Sequence, residues 1–166
     1  MALFAPGLSD LTTGMTTPVY RLRPSVVADY EAIADVWHSS ASLPDVGPPI
    51  MPTLRELRER VDVAFAASWE VTLAARERDV RGFVAIKPRE AVLDQLFVRP
   101  RFLGHGIGRA LLDHAMTTMP AGFTLFTASS NTRARTFYEK AGLVFLSEAA
   151  HPRTGHPVSC YGWSSL

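Results

Sequence analysis

The stretch LFVRPRFLGHGIGRALLDHA, residues 96–115, decides the fold of this chain. A strand-like apolar run ends at Val98, and three glycines, Gly104, Gly106 and Gly108, alternate just before helix-like sequence. Glycine is a poor helix former and loses much conformational entropy on folding, so three in five positions indicate a close approach to the backbone. A helix N-terminus offers unpaired N–H groups and a partial positive charge, which favour an anion such as phosphate. The stretch therefore predicts a strand, a phosphate-binding turn and a helix.

Two familiar phosphate-binding motifs fit these glycines poorly. A P-loop needs Lys followed by Ser or Thr after its last glycine, and no such pair follows here. A dinucleotide fingerprint that starts at Gly104 needs a glycine where Arg109 stands. A tight strand-to-helix turn without a ligand is the alternative interpretation. The side chains available for charge-assisted contacts to a phosphate are those of Arg99, Arg101, His105 and Arg109.

The overall composition is that of an ordinary globular protein. The 166 residues suffice for one domain with a core, and 47% are apolar and 20% charged. A net charge of +1 argues against a nucleic-acid partner. The chain has no apolar run of the roughly 20 residues that a membrane span needs, and its first residues lack a charged segment and a long apolar run typical of a signal peptide. We expect a cytoplasmic protein with no membrane contact.

Hydrophobic periodicity and turn residues predict the order β-α-α-β-β-β-α-β-α-β-β, a mixed sheet with helices packed on it. We expect an irregular N-terminal arm over residues 1–17 and a single domain over residues 18–166. The predicted strands cover 19–23, 69–77, 80–87, 91–98, 123–128, 143–149 and 158–165, and the helices 25–40, 53–66, 107–119 and 131–142. The strands at 91–98 and 123–128 are joined through a helix and should be parallel, with the glycines at the carboxyl end of the first, where open α/β sheets bind ligands.

Local signals support three of the predicted helices. Thr53 and Glu56 have the spacing of a capping box, and Gly142 suits the left-handed position that follows a helix C-terminus. In the first helix, the predicted apolar stripe is Val27, Tyr30, Ile33 (or Ala34) and Trp37.

Two motifs in this order resemble those of the GNAT superfamily of N-acetyltransferases. In the family's acetyl-CoA motif, a strand ending V-x-P precedes an R/Q-x-x-G-x-G/A turn and a helix. Gly106 and Gly108 occupy the glycine positions, while Leu103 stands where Arg or Gln is usual. The stretch NTRARTFYEKAGLVF, from Asn131, resembles the family's second motif, N-x-x-A-x-x-F-Y-E-K-x-G-F, with Leu143 in place of Phe.

This resemblance covers roughly residues 18–165 and implies a GNAT fold. That fold is a mixed central sheet of about seven strands flanked by about four helices, with its strand order set by the strand–helix–strand–helix core that binds acetyl-CoA. It also implies acetyl-CoA as co-substrate and an N-acetyltransferase that moves an acetyl group to a primary amine by direct transfer. The alternative is a non-catalytic acyl-CoA-binding sensor of the same fold. The acceptor is then a small-molecule or protein amine, and family habit makes a homodimer possible.

The resemblance also assigns residues to acetyl-CoA. A bulge in the strand at 92–98 and the splayed strand at 123–128 leave a gap for the pantetheine arm. Asn131 contacts this arm or serves only as an N-cap, and Arg133 and Arg135 reach the adenosine phosphates or form a solvated face. The main chain of Leu96, Phe97 and Val98 holds the arm and polarises the acetyl oxygen, while the turn of Leu103, Gly104, His105, Gly106, Ile107, Gly108 and Arg109 binds the pyrophosphate.

Tyr138 matches the family's frequent general acid, which protonates the departing thiolate. Alternatively, it is an aromatic core residue beside Phe137. Because neighbouring helix residues point about 100° apart, we expect Phe137 to be buried and Tyr138 to face the thioester.

An amine acceptor arrives as an ammonium ion, so a base must remove a proton from it. Asp94 is the candidate, with an exposed strand carboxylate as the alternative interpretation. Strand alternation allows only Asp94 or its neighbour Gln95 to face the cleft, unless a bulge changes the parity. By the resemblance, Trp37, His38 and Asp45 lie over the acceptor site, although Trp37 also fits a helix core. The spacing of His151 and His156 fits no common metal site, and we expect no metal. Cys160, the one cysteine, we expect to be a small buried core residue.

Overall fold

The computed structural model describes residues 19–166, so the predicted arm over residues 1–17 lies outside the described residues. The strands are β1 (Arg21–Pro24), β2 (Glu70–Arg76), β3 (Asp79–Lys87), β4 (Val92–Val98), β5 (Phe123–Ala128), β6 (Val144–Ala150) and β7 (Pro157–Trp163). The α-helices are α1 (Tyr30–Ala41), α2 (Leu54–Ala67), α3 (Ile107–Thr118) and α4 (Thr132–Lys140). None of these helices is long and apolar enough to cross a membrane.

The seven strands form one mixed sheet in the order β1-β2-β3-β4-β5-β7-β6. Every pairing is antiparallel except that of β4 with β5, which is parallel as expected for strands joined through α3. The predicted element order, the mixed sheet of seven strands and the four helices are thereby confirmed.

The sheet is covered on both faces along β3, which explains why this strand is a continuous apolar run. Phe83 and Ala85 face the cluster formed with α1 and α2, whereas Val84 and Ile86 face the cluster formed with α3 and α4. All four side chains are 3% exposed or less. The two clusters fix α1 and α3 on opposite sides of the β3–β4 pair, and these two helices bring the candidate site residues together.

The predicted helix boundaries follow from local chemistry. The Thr53 hydroxyl accepts from the Glu56 amide, and the Glu56 carboxylate accepts from the Thr53 amide, which completes the predicted capping box. Gly142 has a φ of 92°, and the amides of Gly142 and Leu143 donate to the carbonyls of Glu139 and Tyr138. This pair of bonds is a Schellman motif, which ends α4 at the predicted glycine.

The apolar stripe predicted for the first helix is wrong at its start. Val27 is 73% exposed, and the buried residues of α1 include Ile33, Ala34 and Val36. A 3₁₀ turn over Val27–Asp29 precedes α1, because the Asp29 carboxylate accepts from the Val26 amide at 2.8 Å and from the guanidinium of Arg23. This tighter turn shifts the helix phase, so residues before Tyr30 do not continue the stripe.

Candidate active site

The glycine turn forms an open cradle at the N-terminus of α3. Gly104 and Gly106 have φ angles of 81° and 80°, in the left-handed region that favours glycine, and nothing lies within 4 Å of a Cβ added at either. The six backbone amides of residues 104–109 have no hydrogen-bond acceptor among residues 19–166. Six unpaired donors around an open space, at a helix N-terminus, are suited to bind a pyrophosphate.

The third glycine has a different role. Gly108 lies within α3, and a Cβ at this position would be 3.5 Å from the ring of Phe137 on α4. Gly108 thus lets Phe137 approach the first turn of α3. Leu103 and Ile107 pack their side chains into the core, which anchors the turn on both sides while its amides stay outside.

Most of the cationic side chains near the cradle have partners within the chain. Arg109 is paired with Asp113 at 2.8 Å, and the Arg99 guanidinium pairs with Asp35 and donates to the Val80 carbonyl. His105 places Nδ1 at 3.1 Å from the carbonyls of Phe102 and Leu103. The backbone amides are therefore the donors of the cradle that have no partner among the described residues.

A gap opens between β4 and β5 next to the cradle. Only one residue pair, Val92 with Thr124, is in register between the two strands, so the β4 edge over residues 96–98 has no strand beside it on that side. At the far end of β4 the Val98 carbonyl accepts from the hydroxyl of Ser40, a buried residue of α1, at 2.9 Å. This bond ties the end of α1 to the end of β4.

The predicted irregularity in β4 is a bulge at Asp94. Gln95 is opposite Ala85 and Leu93 is opposite Ile86, so Asp94 has no partner on β3. Such a bulge places two successive side chains on one face, and both Asp94 and Gln95 lie on the α1–α2 side. The sequence leaves open which of the two side chains, Asp94 or Gln95, faces the cleft. In the structure both side chains lie on the same face of the sheet.

The Asp94 carboxylate is held by two protein donors. Trp69 Nε1 donates to Asp94 Oδ2 at 2.6 Å, and Lys87 Nζ lies 3.8 Å from Oδ1. The Asp94 side chain is half-buried beneath the end of α2. No sequence pattern singles out Trp69, because its contact with Asp94 depends on the bulge.

The prediction that Phe137 is the buried member of the pair Phe137 and Tyr138 is wrong. Tyr138 is 7% exposed, whereas Phe137 is half-buried against α3. The Tyr138 ring packs 6.2 Å from the ring of Tyr161 on β7, which fills the face of the sheet below α4. Burial raises the pKa of the Tyr138 hydroxyl above its ordinary value, and this hydroxyl has no hydrogen-bond partner within the described part of the chain.

The other α4 candidates act within the fold. The Asn131 side chain accepts from the Ala134 amide at 3.1 Å, so the N-cap role is present. The Arg135 guanidinium donates to the Tyr161 hydroxyl at 3.1 Å and to the Ser129 carbonyl at 3.3 Å. It is therefore directed at β5 and β7, away from the cradle.

A pocket of about 540 Å³ lies between the end of α1 and the turn after β5. Its walls come from the end of α1, the proline-rich loop before α2, the turn after β5 and the start of β7. The pocket is lined by Ala41, Ser42, Leu43, Asp45, Gly47, Pro48, Pro49, Met51, Ser129, Ser130, His156 and Pro157. The Ser130 hydroxyl donates to the Asp45 carbonyl at 3.2 Å, which ties the proline-rich loop to the opposite wall.

Of the residues predicted for the acceptor site, Asp45 lines this pocket and Asp94 and Gln95 do not. Trp37 is half-buried and packs 5.7 Å from the Trp69 ring and 6.3 Å from the Phe97 ring, beneath the α1–α2 side of the sheet.

His156, Ser129 and Ser130 reach the pocket from elements distant in sequence. No short-range pattern marks them, although His156 was already visible as one of two histidines in a turn.

Comparison with known families is consistent with this geometry. The model of the acetyltransferase (GNAT) family matches residues 37–143, more than half of the chain. The 5-NmdU N-acetyltransferase of Pseudomonas phage PaMx11 is 31% identical over 93 residues, which are 53% of this chain and 66% of that protein. The peptidyl-lysine N-acetyltransferase YjaB of Salmonella typhimurium is 37% identical over 65 residues, 39% of this chain and 44% of that protein. This chain thus matches less than two thirds of the length of each relative.

Solved structures share the fold over nearly the whole chain. A GCN5-related N-acetyltransferase from Rhodopseudomonas palustris superposes with a TM-score of 0.70 at 18% identity, covering 87% of this chain and 95% of that one. The acetyltransferase yncA of Salmonella typhimurium, solved with acetyl-CoA, has a TM-score of 0.65 at 13% identity and covers 89% and 94% of the two chains. At these identities the likeness establishes the fold.

Proposed function

Because this chain belongs to the GNAT acetyltransferase family, we propose that it transfers an acetyl group from acetyl-CoA to a primary amine in one direct step. The observation that carries the proposal is the cradle at residues 104–109, whose six unpaired amides suit a pyrophosphate. The gap beside residues 96–98 adds room for an extended arm next to a free strand edge. When bound, acetyl-CoA supplies the thioester that carries the acetyl group.

The chain's own groups then have distinct tasks. We propose that the main chain of residues 96–98 holds the arm and directs an amide at the acetyl oxygen, which stabilises the negative charge that develops there. The amides of residues 104–109 fix the pyrophosphate. Tyr138 holds its proton at the hydroxyl oxygen until the sulfur leaves, a role that suits a phenol whose pKa is raised by burial.

The acceptor is an amine that fits the pocket between the proline-rich loop and β7. A volume of about 540 Å³ matches a small molecule or a single side chain. The two relatives differ in acceptor by name, one acting on 5-NmdU and the other on peptidyl-lysine, so kinship alone assigns no acceptor here. Asp45, which lines the pocket, carries a negative charge that is suited to attract the ammonium group.

The proposal is tested by titrating acetyl-CoA into the wild type and into Gly106→Glu by calorimetry. The variant places a bulky anion at the cradle and at a left-handed backbone position, so we expect binding to weaken by at least about 100-fold. Gly155→Glu is the matched control, because Gly155 also has a positive φ of 71° and open space around it. The Gly155→Glu variant should bind acetyl-CoA with the same affinity as the wild type.

Two results separate the alternatives. Wild-type protein that does not bind acetyl-CoA contradicts the proposal. Wild-type protein that binds acetyl-CoA but releases no coenzyme A thiol with any member of an amine panel is instead the acyl-CoA sensor. Circular dichroism of Gly106→Glu checks that a loss of binding does not reflect unfolding.

A further inference from the structure

The loop between β6 and β7 presents an imidazole to the pocket in a fixed orientation. The His151 amide donates to the His156 carbonyl and the Gly155 amide to the His151 carbonyl, both at 2.8 Å, so the loop is closed by its own backbone. His156 lines the pocket, and the Thr154 hydroxyl is hydrogen-bonded to His156 Nδ1. The other ring nitrogen, Nε2, is then the one available to a bound acceptor.

His151 supports this imidazole from behind. The two rings are stacked, with centroids 4.9 Å apart and planes inclined by 11°. His151 Nδ1 accepts from the amides of Arg153 and Thr154, which fixes the proton of the neutral ring on Nε2. Burial lowers the pKa of His151, and the charges of His156, Arg153 and Arg60 lower it further. The lowered pKa favours the neutral form of His151, whose ring stacks on the His156 ring.

Charged groups lie around the loop that carries His156. Within residues 19–166, the charged or titratable groups that act on the neighbouring His151 are His156, Arg153 and Arg60, and Asp45 lines the same pocket as His156. Asp45 carries the negative charge that attracts an ammonium ion.

We propose that His156 is the general base of the acetyl transfer, an assignment that rests on the proposed function. His156 Nε2 takes one proton from the ammonium group, and the neutral nitrogen then forms a bond to the acetyl carbon. The carbon–sulfur bond breaks, Tyr138 gives its proton to the departing sulfur, and the amide nitrogen loses its second proton to water. The products are an acetylated amine and coenzyme A, and Tyr138 regains a proton from solvent.

Asp94, the base predicted from the sequence, is less suited to this step. Its carboxylate is engaged by Trp69 and Lys87 and does not line the pocket. An imidazole can also accept a proton at its free ring nitrogen, and histidine is the side chain most often used as a general base.

The test measures release of coenzyme A thiol from saturating acetyl-CoA between pH 5.5 and pH 9.5 with two probe acceptors. One is n-butylamine, which is an ammonium ion at neutral pH. The other is O-methylhydroxylamine, which is already neutral there and needs no base before attack. We expect His156→Gln to lower kcat/KM for n-butylamine by about 100-fold or more and to remove the fall of the wild-type profile on its acid side. With O-methylhydroxylamine the loss should stay within about tenfold.

The matched variant is His114→Gln. His114 lies on α3 and contacts the hydroxyl of Thr72, far in the fold from the pocket, so its rates should equal those of the wild type. Asp94→Asn is measured alongside. An equal loss with both acceptors in His156→Gln, or an unchanged acid side, overturns the assignment, as does a larger loss in Asp94→Asn.

Wild-type protein that binds acetyl-CoA but accelerates neither of these reactions nor that of any other member of the amine panel overturns the transfer function together with this assignment. The wild-type rate thus tests the proposed function, and the ratio between variant and wild type tests His156.

Discussion

Burial decides which step of the reaction Tyr138 can serve. Because a buried phenolate loses its hydration, the pKa of Tyr138 is raised and the hydroxyl keeps its proton across the working pH range. We expect Tyr138→Phe to lower kcat by about 100-fold while acetyl-CoA binding stays within about threefold, because only proton delivery is lost. Calorimetry and thiol release measure the two effects.

The pH profile of the wild type offers a second check on Tyr138. Because its pKa is raised, the hydroxyl loses its proton only at a higher pH than an ordinary tyrosine does. No fall in kcat from this group is therefore expected below about pH 10. Tyr30→Phe, which alters a tyrosine stacked on Phe65 at 4.2 Å, serves as control and should leave kcat unchanged. Full activity in Tyr138→Phe would contradict the assignment of the acid.

The sequence predicts the burial and contacts of individual side chains least well. The pattern identifies Phe137 and Tyr138 as a pair with different surroundings, but which of them is buried depends on Gly108 and Tyr161, both distant in sequence. In the same way, alternation along β4 cannot reveal that Asp94 is the bulged residue, because the bulge is set by pairing with β3.

The start of α1 depends on one partly buried ion pair. The Asp29 carboxylate is bound by both terminal nitrogens of Arg23 at 2.8 Å and by the Val26 amide. These hydrogen bonds lower the pKa of Asp29 below its ordinary value, with the bond from Arg23 as the main cause. The pair orients the helix that carries Ser40 to the end of β4.

We expect Asp29→Asn to lower the free energy of unfolding by about 1–3 kcal/mol at pH 7. Because the folded pKa is depressed, this stabilisation is present above the unfolded carboxyl's pKa of about 3.9 and is lost as the pH falls through the folded value. Urea unfolding of both proteins between pH 7 and pH 3 measures it. Glu59→Gln, in an exposed pair with Arg55, should change stability by less than about 1 kcal/mol. A pH-independent difference for Asp29→Asn would contradict the linkage.

At the level of elements, the sequence predicts what short-range chemistry controls. The capping box at Thr53, the helix end at Gly142 and the strand–turn–helix around Gly106 all follow from neighbouring residues. The pocket does not, because its walls come from three separate stretches of the chain, residues 41–51, 129–130 and 156–157, that meet only in the folded chain. His156 illustrates the limit, since its spacing from His151 argues against a metal site but gives no indication of the pocket.

The sheet as a whole is two halves with a weak junction. Strands β1–β4 form one half of the sheet, and β5, β7 and β6 form the other. The two halves meet at one register pair, Val92 with Thr124. Helix α3, which begins at the cradle, joins β4 to β5 along the chain. A ligand that fills both the cradle and the gap bridges the two halves, whereas one that fills the cradle alone does not.

We therefore expect acetyl-CoA and ADP, which has a pyrophosphate but no pantetheine arm, to protect different parts of the protein. At about 100 times its Kd each ligand should add about 2.7 kcal/mol to the free energy of unfolding, so the comparison is made at equal saturation. Hydrogen exchange should slow at residues 104–109 with both ligands, because both occupy the cradle amides. Only acetyl-CoA should slow exchange along residues 93–98, where the strand edge is free. Equal protection of that edge by ADP would mean that the gap closes without the arm, and the bridging role would be lost.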